Sequence, residues 1–230
     1  MIKLILVRHG QSEWNLQNKF TGWTDVDLSQ QGVQEAVFAG KLISKYEPQI
    51  DIAFTSVLKR AKHTLDLICN EQKCKFPIIE DYRLNERHYG ALQGLNKAET
   101  AKKYGDEQVH LWRRSATERP PLLSKDDPRN PKFDPLYAGI NAKLPLGESL
   151  IDTGKRVKQC FDDAIKPKLQ NGSVALIVAH GNSLRALIQI LDKIDNDKIS
   201  SLEIPTGKPL VYELDANFEP KKHYYLQKNN

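Results

Sequence analysis

The sequence lacks the features that mark secreted, zinc-binding and membrane-spanning proteins. Its three cysteines, Cys69, Cys74 and Cys160, are odd in number and have no CxxC spacing, which argues against a disulfide framework or a thiolate zinc site. The first apolar run, residues 2–7, is too short for a secretory signal or a membrane span. We therefore expect a cytoplasmic protein with no membrane partner.

Strongly basic segments are also missing. Lysine and arginine outnumber aspartate and glutamate by 34 to 29, and no basic run is longer than a pair. Because nucleic-acid-binding surfaces usually appear as clustered basic residues, we expect no nucleic-acid partner. The mild positive excess can help to attract small anions, although physiological salt screens that attraction beyond about 8 Å.

Length and composition are those of one globular domain. The chain has 230 residues, of which 40% are hydrophobic and 27% charged, and such a chain can bury a sizeable core. No internal repeat of about 20 to 50 residues is visible. We therefore expect a single domain over residues 1–230.

Apolar runs alternate with helical patterns along most of the chain. Residues 2–7 and 174–179 are almost continuously apolar, which is typical of central strands covered on both faces. Further strands are predicted at 50–55, 77–80 and 210–214, the last at an edge. Helices are predicted at 30–47, where Glu47-Pro48 ends the helix, at about 57–69, at 149–165 and at about 184–194. Ser29 and Ser56 are predicted helix caps. This alternation predicts an α/β fold, a three-layer sandwich whose largely parallel sheet carries helices on both faces.

Residues 105–146 differ in character from the rest of the chain. They contain prolines at 120, 121, 128, 131, 135 and 145 and little apolar periodicity after Trp112. Irregular segments of this length are usually functional lids or disordered linkers. The segment opens with Val109-His110-Leu111-Trp112-Arg113-Arg114, which is not linker composition, and this favours a lid-like insertion.

The two apolar strands end in similar motifs. The first is followed by Arg8-His9-Gly10-Gln11-Ser12, and the second ends in Ala179-His180-Gly181-Asn182-Ser183. In open α/β sheets the ligand crevice lies beyond the carboxyl ends of the strands. If the strands are neighbours, both histidines therefore project into one cleft.

A histidine in such a cleft can act as a metal ligand, a general base or a nucleophile. Arg8 adjoins His9, and Arg60 lies near the start of a predicted helix, where free backbone amides favour anions. Cations repel a divalent metal and attract phosphate, which favours phosphoryl transfer over metal-assisted hydrolysis. A histidine of ordinary pKa, about 6.5, is mostly neutral at pH 7 and can attack phosphorus. Arg8, Arg60 and His180 can stabilise the developing charge, and Glu86 is the candidate proton donor.

These motifs resemble those of the cofactor-dependent phosphoglycerate mutases of the histidine phosphatase superfamily. The resemblance rests on residues 6–15, 20–23, 55–61, 84–100, 112–114, 148–150 and 179–183. The superfamily as a whole shares only Arg-His-Gly, a second arginine and a second histidine. The middle segments are more specific, and they carry the resemblance to the mutases.

The resemblance implies a role for each matching residue. His9 would be the phosphorylated residue, Glu86 the acid and base, and Arg8, Arg60 and His180 the phosphate pocket. Further substrate contacts would come from Ser12, Asn15, Thr21, Gly22, Tyr89, Lys97, Arg113, Arg114, Gly181 and Asn182. The implied reaction interconverts 3-phosphoglycerate and 2-phosphoglycerate in glycolysis and gluconeogenesis, with 2,3-bisphosphoglycerate as primer and no metal. Relatives are commonly dimers or tetramers, so a homo-oligomer is expected by analogy.

Two other functions compete with this interpretation. A phosphatase of the same superfamily would transfer the phosphoryl group to water, but such phosphatases generally lack the Trp112-Arg113-Arg114 insertion. A non-catalytic binding module would usually have lost His9 or Glu86, and both are present. The chain also ends at residues 224–230, without the longer tail of many relatives, which predicts more hydrolysis of the phosphohistidine.

Overall fold

A computed structural model describes residues 1–47 and 49–227, so the helix stop predicted at Pro48 and the last three residues lie outside the described residues. The described strands are β1 (Ile2–Arg8), β2 (Ile52–Thr55), β3 (Ile78–Glu80), β4 (Val174–Ala179), β5 (Leu210–Leu214) and β6 (Pro220–Tyr225). They form one sheet in the order β3-β2-β4-β1-β5-β6. The first four strands in this order are mutually parallel. β5 runs antiparallel to β1, and β6 runs antiparallel to β5. The sheet is therefore largely parallel, as predicted.

Helices cover both faces of the sheet. On one face lie α2 (Gln30–Tyr46) and α3 (Lys59–Gln72), and on the other lie α6 (Leu150–Cys160) and α7 (Gly181–Asp192). The other described α-helices are α1 (Glu13–Leu16), α4 (Lys97–Tyr104) and α5 (Asp106–Arg114). After Cys160 the chain continues through a π-helical turn and a 3-10 turn to Lys168. Among the described residues, none of the helices combines the length and the apolar character needed to cross a membrane.

Alternation along β1 builds the two cores. Ile5 and Val7 pack with α2 and α3 on one face, whereas Leu4 and Leu6 pack with α6 and α7 on the other. Successive residues of a strand point to opposite faces, so a continuous apolar run serves both layers. This confirms the three-layer sandwich.

The last two strands differ from the prediction. β5 lies between β1 and β6, so the prediction that it forms an edge was wrong. β6 was not predicted because three of its residues, Lys221, Lys222 and His223, are polar and exposed. A strand at a sheet edge needs no buried face, and charged edge residues discourage further pairing.

The start of two helices also differs. Ser56 does not cap α3, because that helix begins at Lys59 with Leu58 as its N-cap residue. The helix predicted from about Leu184 begins at Gly181, directly after His180. Ser56 therefore directly follows β2, and His180 directly follows β4. Both polar side chains lie at the carboxyl ends of strands.

The insertion at 105–146 is only partly irregular. It opens with α5, which was not predicted, and continues through 3-10 turns at Pro131–Phe133 and Pro135–Tyr137. The segment packs against the rest of the molecule: Tyr137 is buried, and its ring centroid lies 4.9 Å from that of Trp23. Arg113 and Arg114 form the last turn of α5, so a regular element presents them.

Candidate active site

Strand pairing brings the two strand-end histidines together. β1 and β4 are adjacent, with Arg8 opposite Ala179, and the backbone N–H of His9 donates to the Ala179 carbonyl at 2.9 Å. The imidazoles of His9 and His180 meet edge to face, with ring centroids 4.9 Å apart. The carboxyl ends of two central parallel strands thus create the site.

A single hydrogen bond fixes the tautomer of His9. Nδ1 of His9 lies 2.6 Å from the Gly10 carbonyl oxygen, which can only accept, so Nδ1 carries the proton. Nε2 therefore holds the free lone pair. Burial, followed by the charges of Arg60 and Arg8, holds the pKa of His9 well below its usual value. His9 is therefore neutral at pH 7, with Nδ1 protonated and Nε2 unprotonated.

The loop after His9 is packed tightly against α2. A Cβ atom on Gly10 would overlap the carbonyl oxygen of Gly32, so no larger residue fits without a shift. The Gly10 N–H donates to Thr64 Oγ1 at 3.1 Å, and this hydroxyl donates to the Arg60 carbonyl at 2.7 Å. His9 and the first turn of α3 therefore belong to one rigid unit.

Backbone carbonyls anchor the two arginines beside His9. Arg60 is buried, and its guanidinium donates to the carbonyls of Gly22 at 2.7 Å and Thr24 at 3.0 Å. Burial lowers the pKa of Arg60 to about 10 despite the nearby Glu86 carboxylate, so the side chain stays charged at pH 7. Arg8 donates through Nη1 to the Ile204 carbonyl at 2.8 Å.

Three buried polar atoms near His9 have no hydrogen-bond partner among the described residues. They are Arg8 Nε, Thr21 Oγ1 and His180 Nδ1. Buried polar groups are nearly always paired, so unpaired ones mark a place for a ligand. A guanidinium nitrogen, an imidazole nitrogen and a hydroxyl can each donate a hydrogen bond to an oxygen of a phosphoryl group. This set of atoms is the strongest geometric indication of an anion pocket.

Ser56 orients His180. Its hydroxyl oxygen lies 2.6 Å from His180 Nε2, in a fully buried contact. When the hydroxyl donates to Nε2, His180 carries its own proton on the unpaired Nδ1 and offers an N–H group. Burial, then the charge of Arg60, holds the pKa of His180 well below its usual value. Ser56 was predicted to be a helix cap, and it is a partner of the second histidine instead.

Glu86 is the buried carboxylate of the site. Its Oε1 accepts from the backbone N–H groups of Arg87 at 2.8 Å and Asn182 at 3.0 Å. Burial opposes ionisation, but these N–H groups together with Arg8 and Arg60 outweigh it and hold the pKa of Glu86 below its usual value. Glu86 is therefore an ionised carboxylate at pH 7.

A second group of cations, Lys97, Arg113, Arg114 and Arg185, also lines the cleft that contains His9. Seven Lys or Arg side chains and only two carboxylates line the whole cleft, the cations being Arg8, Lys19, Arg60, Lys97, Arg113, Arg114 and Arg185. Tyr89 also lines the cleft, and its hydroxyl accepts from Asn182 Nδ2 at 3.2 Å. Burial lowers the pKa of Lys97. Such a cleft suits a ligand with more than one negative group.

The structure gathers nearly all predicted site residues around this cleft. Its walls include Arg8, His9, Asn15, Thr21, Gly22, Arg60, Glu86, Tyr89, Lys97, Arg113, Arg114, Gly181 and Asn182, and His180 lies directly behind His9. Ser12 is the exception, because it is buried and its hydroxyl accepts from the Asn15 N–H at 3.2 Å. Ser12 starts α1 and positions Asn15, rather than lining the cleft itself.

Three lining residues were missed in the sequence. Arg185 follows Asn182 by three residues on α7 and donates to its side-chain oxygen at 2.7 Å, so helical spacing was a usable signal. Glu203 forms an ion pair with Arg114 at 2.5 Å. Lys19 and Glu203 lie on loops, and no motif marks either of them.

The fold and this histidine-centred anion pocket define a class of α/β enzymes that transfer phosphoryl groups through histidine. The family model of the histidine phosphatase superfamily (branch 1) matches residues 4–223, and the chain belongs to that superfamily. In the described residues, no group of three or more His, Cys, Asp or Glu side chains is arranged to hold a metal ion.

Solved structures share the fold over nearly the whole chain. A mycobacterial glucosyl-3-phosphoglycerate phosphatase is 23% identical with a TM-score of 0.74, and the match covers 99% of this chain and 98% of that one. Bacillus stearothermophilus YhfR is 23% identical with a TM-score of 0.73, covering 96% and 94%. The alpha-ribazole phosphatase from Shigella flexneri is 18% identical with a TM-score of 0.71, covering 98% and 96%. At these identities the likeness establishes the fold.

Proposed function

We propose that this protein interconverts 3-phosphoglycerate and 2-phosphoglycerate through a phosphohistidine on His9, primed by 2,3-bisphosphoglycerate. The observation that carries the proposal is the second group of cations, because hydrolysis of a simple phosphomonoester needs only the pocket around His9. A bisphosphorylated intermediate has two phosphates and a carboxylate, and it needs basic groups at both ends of the cleft. Lys97, Arg113, Arg114 and Arg185 also line the cleft, and we propose that they bind the second phosphate and the carboxylate.

In the proposed reaction Nε2 of His9 attacks phosphorus. Arg8, Arg60 and His180 stabilise charge on the equatorial oxygens, while Glu86 gives a proton to the departing hydroxyl oxygen. The N–P bond forms as the P–O bond breaks. When bound, 2,3-bisphosphoglycerate supplies the phosphoryl group that first loads His9.

Glu86 must be protonated to act as the acid, although its pKa is depressed in the free protein. An arriving phosphate dianion next to the carboxylate disfavours its charge, so the pKa rises and the proton can be taken up with the substrate. After transfer, Glu86 is again a carboxylate and serves as base for the acceptor hydroxyl. One residue thus serves both half-reactions.

Retention of the intermediate separates a mutase from a phosphatase. After the first transfer, the acceptor must turn within the cleft while water is kept from the phosphohistidine. We propose that the insertion at 105–146 acts as the lid, since Arg113 and Arg114 occupy its first helix and Tyr137 anchors it against Trp23. Cations on the lid hold the second phosphate during reorientation.

Phosphatase activity is the second candidate. The similar solved structures include proteins named glucosyl-3-phosphoglycerate phosphatase and alpha-ribazole phosphatase, and the pocket around His9 would serve hydrolysis equally well. The two candidates share the phosphohistidine and differ in the acceptor, which is a phosphoglycerate hydroxyl in one and water in the other.

The deciding experiment follows 3-phosphoglycerate with and without catalytic 2,3-bisphosphoglycerate, and measures 2-phosphoglycerate and inorganic phosphate together. A mutase forms 2-phosphoglycerate only when primed and releases little phosphate. Arg113→Gln should raise the ratio of phosphate release to isomerisation, whereas Arg119→Gln, an exposed arginine paired with Asp152, should leave it unchanged. Phosphate as the sole product of the primed wild-type protein would refute the mutase proposal.

A further inference from the structure

A buried ion pair outside the cleft lining lies behind Glu86. Arg156 on α6 and Glu148 just before that helix form two parallel hydrogen bonds, Nε to Oε1 at 2.7 Å and Nη2 to Oε2 at 2.8 Å. The side chains are 11% and 5% exposed, respectively. Buried pairs of this kind contribute little net stability, so their hydrogen bonds to other groups indicate their role.

The other side-chain hydrogen bonds of Arg156 to described residues go to backbone carbonyls of the segment 83–86. Nη1 donates to the carbonyls of Arg83 and Asn85, both at 2.8 Å. Nη2 donates to the carbonyl of Glu86 itself at 2.8 Å. A single planar guanidinium thus fixes three carbonyls of one short segment, a geometry that the flexible ammonium of lysine cannot reproduce.

Glu148 holds the same segment on the other side of Glu86. Its Oε2 accepts from the backbone N–H of His88 at 2.8 Å, and its own N–H donates to the His88 carbonyl at 2.9 Å. Residues 85–88 form no helix or strand, so they have no regular hydrogen-bond ladder. The ion pair provides partners for these buried backbone groups, and the Glu86 carbonyl also accepts from Trp23 Nε1 at 2.6 Å.

The position of the Glu86 backbone determines which of the two carboxylate oxygens accepts backbone hydrogen bonds and which one does not. Oε1 accepts two N–H bonds, from Arg87 and Asn182, so it remains the acceptor. Oε2 lies next to Gly181, on which an added Cβ atom would be 3.7 Å from it. Protonation at Oε1 would sacrifice two hydrogen bonds, so the transferable proton is carried on Oε2.

We propose that Arg156 and Glu148 are positioning residues that hold Glu86 so that Oε2 delivers its proton to the leaving oxygen. They act through the Glu86 backbone and do not contact the substrate. The proposal rests on Glu86 as proton donor, and it applies whether the final acceptor is a phosphoglycerate or water.

The test compares two leaving groups in Arg156→Lys. Phosphoglycerate leaves as an alkoxide that needs a proton, whereas p-nitrophenyl phosphate leaves as a phenolate that does not. Partial misalignment of the acid should slow turnover of phosphoglycerate by about 10- to 100-fold, a fraction of the roughly 10²- to 10⁴-fold that general acid catalysis contributes. Single-turnover release of p-nitrophenol should change less than about threefold. The KM for phosphoglycerate should stay within about twofold, because no substrate contact is removed.

The matched control is Arg119→Lys. Arg119 also forms a two-point ion pair with a carboxylate of α6, Asp152, but it is 58% exposed and, among the described residues, is not part of the cleft lining. Both substrates should react at the wild-type rate in this variant. In Arg156→Lys the loosened N–H bonds to Oε1 no longer depress the pKa of Glu86, so the pH limb that belongs to Glu86 should move to higher pH.

The outcomes separate this proposal from a general structural role. Equal losses for both leaving groups, or no loss for either, would overturn it. If Arg156→Lys does not fold, Glu148→Gln provides the same comparison, since the amide retains an acceptor for the His88 N–H. A protein that only hydrolyses phosphoglycerate would refute the proposed mutase function, yet the leaving-group comparison would still decide the role of Arg156.

Discussion

Ser56→Ala removes the hydrogen bond that orients the second histidine of the cleft. The Ser56 side chain is fully buried, and its Oγ lies 2.6 Å from His180 Nε2. Because Nδ1 of His180 already lacks a partner, the variant leaves both ring nitrogens unpaired in the free protein. An unsatisfied buried polar group costs about 1–3 kcal/mol. We expect the free energy of unfolding to fall by an amount within that range.

The same change should reduce catalysis because His180 can turn and exchange its tautomer. If about 1.4–2.7 kcal/mol of transition-state stabilisation depends on the Nδ1–H of His180, kcat/KM falls about 10- to 100-fold. Urea unfolding and steady-state kinetics measure the two effects separately. Ser173→Ala is the control, because Ser173 caps a turn at the opposite end of β4 through a 3.0 Å bond from the Gln170 N–H. Unchanged kcat/KM in Ser56→Ala would refute the assigned role of His180.

Two further predictions concern charge. Glu203→Gln should tighten binding of multiply charged anions about two- to fivefold, because Glu203 competes with the ligand for Arg114 and an exposed ion pair contributes about 0.2–1 kcal/mol. Isothermal titration at low and high salt measures this. The free energy of unfolding should fall as pH drops through about 6.5, by up to about 1.4 kcal/mol per pH unit for each histidine that protonates only in the unfolded chain. The pKa values of three buried histidines are lowered by burial in the folded protein, to about 4 for His88 and well below the usual value for His9 and His180.

Each of these predictions has a clear contrary result. Glu219→Gln removes a comparable exposed carboxylate, paired with Lys193, and should not affect anion binding. Equal tightening in both variants would show that net charge alone is responsible. A stability that does not change between pH 7 and pH 5.5 would contradict the neutral state assigned to the buried histidines.

The central strands and the meeting of the histidines were predictable from the sequence. Apolar runs in β1 and β4 need burial on both faces, and each ends in a histidine and a glycine. Ser29, the predicted cap of α2, does accept from the Gly32 N–H. These features depend on local sequence, on burial and on the rule that ligands lie at the carboxyl ends of parallel strands.

The supporting contacts were not predictable in the same way. Ser56 carried a helix-cap pattern, and its partner His180 is distant in sequence. Arg156 acts on backbone carbonyls, which have no side-chain signature, so its spacing looks like that of any basic residue on a helix. The polar strand β6 lacks the alternation that marks a half-buried strand. These features depend on tertiary contacts that sequence patterns do not encode.

The proposed reaction requires that His9 becomes phosphorylated. The phosphate should lie on Nε2, because Nδ1 is bound to the Gly10 carbonyl. The most direct measurement exposes the protein briefly to labelled 2,3-bisphosphoglycerate with a chelator present, and then locates the acid-labile phosphate by mass spectrometry and phosphorus NMR. We predict one phosphate on Nε2 of His9, absent from His9→Ala. Label on another residue, label on Nδ1, or labelling abolished by the chelator would contradict the account.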